Sequence, residues 1–143
     1  MRFIYAGQGL PQDRESVFWV NVQEIPPAPK ESNTLQIAVR TRVKLFYRPA
    51  GLNTTLEQQV ENLKWHKQNN KLVIENPGPL NITFSVLKLT NSAGKQWQVN
   101  ADMVNAFGQL TVNLPAGAEA ASHVQASYIN DFGGNSAAKQ SAL

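Results

Sequence analysis

Short alternating runs of apolar and polar residues recur along this 143-residue chain, each fenced by Gly, Pro or Asn. This pattern constrains the fold more than any other feature. A period of two places every second side chain on one face, which is the arrangement of a half-buried strand. Breakers at roughly ten-residue spacing leave no room for the long helices of βαβ units, so the pattern predicts an antiparallel sandwich. Hydrophobic residues make up 42% and charged residues 16%, enough apolar material for a packed core and too little charge for a disordered chain.

The individual runs can be placed. Residues 16–24 (SVFWVNVQE) are rich in Val, Phe and Trp and read as a strand. A Pro-rich loop follows, with Pro26, Pro27 and Pro29. Residues 35–47 (LQIAVRTRVKLFY) then read as one long strand, with Leu35, Ile37 and Val39 on one face. The two strands form a hairpin. The breaker cluster at residues 48–53 marks a domain boundary, giving residues 1–48 and 49–143. In residues 54–63, Leu56, Val60 and Leu63 fall at helical spacing, with Thr54 or Thr55 as N-cap. Further strands are expected at 63–67, 71–75, 81–89 (with a slip in its alternation), 97–99, 110–114 and 123–131. The run at 123–131 is the last clear strand; after Gly133-Gly134 the tail is small and polar.

The chemistry-bearing residues are sparse. Cysteine is absent, which removes disulfides, thiolate metal sites and a Cys nucleophile. The two histidines, His66 and His123, stand alone in strand patterns. No His-Glu-x-x-His, P-loop, G-x-S-x-G or acidic calcium loop occurs. Gly7-Gln8-Gly9 has only part of a dinucleotide fingerprint and reads as a turn. Asp13-Arg14-Glu15 reads as a loop with a local ion pair. The expectation is a protein without catalysis, metal or cofactor. The net charge of +3 is spread along the chain, densest at Arg40, Arg42, Lys44 and Arg48, and does not argue for nucleic-acid binding. No apolar run is long enough for a membrane helix. The opening residues MRFIYAGQGLPQDRES lack the apolar core and cleavage site of a signal peptide.

The strand at 35–47 supports two readings. Its Arg and Lys residues suit an edge strand protected against aggregation. Its clean apolar face suits a strand that pairs with another protein.

Taken together, residues 10–27 (LPQDRESVFWVNVQEIPP), 33–49 (NTLQIAVRTRVKLFYRP) and 129–134 (INDFGG) resemble the periplasmic pilus-assembly chaperones of the usher pathway. The resemblance covers nearly the whole chain and is weakest at 91–120. It implies an all-β fold: the last two strands of a first immunoglobulin-like domain, then a complete C-terminal immunoglobulin-like domain. It implies that Leu35, Ile37 and Val39 fill the groove of a pilin subunit by donor-strand complementation. Lys44 would anchor the subunit's C-terminal carboxylate, and Glu15, Arg48 and Asp131 would form interdomain ion pairs. The implied partners are pilin subunits and an outer-membrane usher, with no nucleic acid and no membrane insertion, and the implied compartment is the periplasm. Against the family, Met1–Tyr5 reads as a strand from the middle of a domain, so the chain is expected to be N-terminally truncated. The alternative is a truncated remnant that binds nothing.

Overall fold

The computed structural model describes residues 2–27 and 35–143, and these fall into two compact units. The first takes in Met1–Leu10 and Ser16–Tyr47; the second takes in Pro11–Glu15 and Arg48–Leu143. Residues 11–15 thus belong with the second unit although they precede the strands of the first. Most of the expected Pro-rich loop, including Pro29, lies outside the described residues.

The first unit is built on an antiparallel ribbon of β1 (Ser16–Gln23) and β2 (Arg40–Tyr47). Their register pairs Phe18 with Leu45, Val20 with Val43 and Val22 with Thr41 on one face. The other face pairs Trp19 with Lys44, Asn21 with Arg42 and Gln23 with Arg40. Strand β2 is shorter than the expected 35–47. Ladder bonding continues one step past it, from Glu24 N to Val39 O at 3.0 Å. Opposite the next residues stand Pro26 and Pro27, which have no N–H to donate. The Gln36 amide instead donates to their carbonyls, at 3.2 and 2.7 Å.

The second unit is a two-sheet immunoglobulin-like sandwich. It opens with α1 (Leu56–Glu61), capped by Thr55 in a reciprocal capping box with Gln58. One sheet has the order β3 (Lys64–Gln68), β4 (Lys71–Glu75), β8 (Gln109–Asn113). The other runs β10 (Lys139–Ala142), β9 (His123–Tyr128), β5 (Ile82–Thr90), β6 (Gln96–Val99), with β7 (Met103–Val104) also paired to β5. The slip read in the β5 sequence is a register shift between Phe84 and Val86. It moves the alternation by one residue, so that Ile82 and Phe84, then Leu87 and Leu89, are all buried. These four close a single core with Leu72 and Ile74 from the facing sheet, Val124 and Ala126 from β9, and Leu56 and Val60 from the helix. The Trp65 and Phe84 rings meet across it at 5.7 Å.

The tail adds a strand beyond the last one read from the sequence: residues 139–142 pair with β9. Lys139 donates to both Glu57 and Glu61 at 2.9 Å, and Leu143 packs against the core.

Candidate binding strand and ion network

The residues singled out from sequence form two groups, one in each unit. In the first unit, Leu35, Ile37 and Val39 precede β2 and belong to no strand among the described residues. These residues are 84%, 66% and 54% exposed. Three apolar side chains at period two, held open to water, oppose the usual sorting of such residues to the interior. Downstream in β2, Lys44 is half-buried, with its ammonium 5.3 Å from the centre of the Trp19 ring. The Arg42 guanidinium lies 4.1 Å from that centre. Trp19 thus gathers two cations on one face of the ribbon. Sequence reading did not assign Trp19 this place, although its position opposite Lys44 follows once the register is known.

In the second unit, Glu15, Arg48 and Asp131 converge as one network. Arg48 Nε donates to Glu15 Oε1 at 3.0 Å. Its two terminal nitrogens donate to the Asp131 carboxylate at 2.8 and 2.7 Å, a two-pronged fork that only guanidinium supplies. Side-chain exposure falls from 50% at Asp131 through 31% at Arg48 to 2% at Glu15. The Glu15 carboxylate is therefore desolvated and must be satisfied within the protein. Asn81, which sequence reading missed, supplies the rest: its backbone N and its Nδ2 both donate to Glu15 Oε2, at 2.9 and 3.0 Å. The bonds to Asp131, against the opposing cost of burial, and those to Glu15 raise the Arg48 pKa, so its charge is permanent. All three ion-pair residues lie within the second unit. There they fasten residues 11–15 to Arg48 and to the loop at 129–134. Two further contacts hold the same segment. Glu15 N donates to Pro79 O at 2.8 Å, and the Arg14 guanidinium lies 5.0 Å from the centre of the Phe107 ring.

The histidines stand apart from both groups. His66 lies 3.9 Å from Glu75 on the neighbouring strand, and His123 bonds Ser122 at 2.9 Å. Among the described residues, no group of three or more His, Asp or Glu could hold a metal ion, and no helix is long and apolar enough to cross a membrane.

Comparison with known proteins matches residues 1–53 to the family described as pili and flagellar-assembly chaperone, PapD N-terminal domain. Residues 58–140 match pili assembly chaperone PapD, C-terminal domain. The chain is 44% identical to the probable fimbrial chaperone LpfB of Escherichia coli O157:H7, over 93% of this chain and 57% of that protein. It is 42% identical to the chaperone protein FimC of Escherichia coli K12, over 87% of this chain and 50% of that one. It thus spans about half the length of these relatives. Among solved structures, the YadV chaperone superposes with a TM-score of 0.82 at 38% identity, covering 96% of this chain and 67% of that one. A complex of the SafA pilin of Salmonella enterica with the SafB chaperone matches with a TM-score of 0.80 at 29% identity, covering 96% of this chain and 64% of the matched one. With the family's C-terminal domain matched over most of the second unit and an all-β immunoglobulin-like sandwich beneath it, this chain belongs to the PapD family of pili assembly chaperones.

Proposed function

We propose that this chain holds pilin subunits in the periplasm by lending them a strand, and passes them to an outer-membrane usher. The role is one of binding: no bond is made or broken, and no cofactor takes part. The observation that carries it is the run Leu35, Ile37, Val39, an exposed apolar alternation in line with β2 and its Lys44. A subunit whose sandwich lacks a strand exposes core and unpaired backbone groups, both costly in water. A borrowed strand satisfies the backbone, and each buried aliphatic side chain contributes roughly 1.5–3 kcal/mol. Lys44 at the end of that strand binds the subunit's C-terminal carboxylate, a charge-assisted contact worth about 1.5–3 kcal/mol. The names of the similar proteins support this reading, as does the similarity to a chaperone solved with its pilin.

The test is co-purification. The chain is expressed behind an added signal peptide with a tagged pilin subunit, beside its Lys44→Ala variant. The expected result is capture by the wild-type chain, weakened about tenfold or more in the variant. Equal capture by both would remove Lys44 as the anchor. No capture by either would leave an immunoglobulin-like protein without the subunit-binding role.

A further inference from the structure

We propose that Arg40 and Arg42 read acidic side chains on the subunit strand that lies beside β2, making them specificity residues of the binding strand. This rests on the subunit-holding role proposed above.

Among the described residues β2 pairs with β1 alone, so its second edge presents backbone groups to an added strand. Arg40, Arg42 and Lys44 occupy alternate positions and project from one face, repeating every ~6.8 Å. Their neighbours across the β1 ladder are Gln23, Asn21 and Trp19, none of them a carboxylate. Neither Arg40 nor Arg42 has an ion-pair partner among the described residues. Trp19 neighbours the row on the β1 side, its ring 4.1 Å from the Arg42 guanidinium.

The direction of the partner strand follows from the anchor. Its terminal carboxylate lies at Lys44 and its body lies toward Leu35, so it runs parallel to β2. Its third residue from the end then falls opposite Arg42 and its fifth opposite Arg40, about 4.8 Å away across the ladder. Carboxylates at those two positions meet the two guanidinium groups, whose planar forks suit them.

The test uses synthetic peptides of alternating Val and Thr, roughly ten residues long so as to span the edge. Each carries either Glu or Gln at the third and fifth positions from its end, and ends in either a free carboxylate or an amide. Binding to the full chain is read by titration at low and high salt. The expected result is that the Glu peptide binds about five- to tenfold tighter than the Gln peptide, with the preference reduced by salt. The R40Q/R42Q variant should lose that preference and keep the preference for a free carboxylate. A carboxylate preference with no difference between Glu and Gln would overturn the inference while leaving the anchoring role in place. Absence of binding by every peptide would overturn both. Single-stranded oligothymidylate binding as tightly as the Glu peptide, with the same arginine dependence, would also overturn it, because the row would then be a general polyanion surface.

Discussion

The two units are made of the same kind of strand and differ in what their apolar faces meet. In the second unit Phe84 is 5% exposed, whereas Phe18 in β1 is 43% exposed. The second unit closes two sheets and a helix on one core; β1 and β2 form a ribbon whose described residues leave Phe18, Val22, Val43 and Leu45 open to water. The difference teaches that alternation specifies a strand but not its burial, since burial needs a second layer. One unit holds itself together. The other, in its described residues, is one two-stranded layer.

The largest predicted effect would break this contrast if it failed. Ile74→Ala, at a fully buried position in β4, should lower stability by about 2–5 kcal/mol in urea unfolding of the chain. Val43→Ala in the ribbon should cost about 1 kcal/mol or less, because nearly half of its surface stays in water. Equal losses would mean that the ribbon is packed as tightly as the sandwich.

The ion network gives a smaller contrast within the second unit. Arg48→Ala leaves the buried Glu15 carboxylate with Asn81 alone and should cost about 2 kcal/mol. Asp131→Ala removes a half-exposed partner and should cost less than about 1 kcal/mol. Thr55→Ala should cost about 1 kcal/mol through loss of the capping box, seen as a lower unfolding temperature. The smallest effect belongs to Lys139. The bonds it donates to Glu61 and then Glu57 raise its pKa above the ordinary lysine range. Its contribution is therefore fully present below that range and lost only as pH rises through the raised value, in strong alkali. Lys139→Ala should speed amide exchange in β10 with little change in the unfolding temperature, and the difference from wild type should be constant between about pH 6 and pH 9.

Much of the sandwich was legible because its strands bury one face. The β5 slip could be read from Phe84, Leu87 and Leu89, and Thr54 and Thr55 announced the helix, of which Thr55 is the cap. Strand β10 could not be read, because Lys139, Gln140, Ser141 and Ala142 carry no apolar alternation; the ladder to β9 defines it. Residues 35–39 misled in the opposite sense. Their alternation is strand chemistry, but the facing positions include two prolines and the ladder ends at Val39. In the ion network, Glu15, Arg48 and Asp131 came from family resemblance, not from any local pattern. Asn81 gave no signal, because its role depends on Pro79 and Glu15 meeting across 64 residues of chain.

Amide hydrogen exchange of the full chain, alone and with a pilin subunit, tests the central claim most directly. The account predicts that residues 35–47 gain strong protection on adding the subunit, while the sandwich core around Ile74 and Leu87 changes little. Protection gained in the second unit with none at residues 35–47 would contradict it.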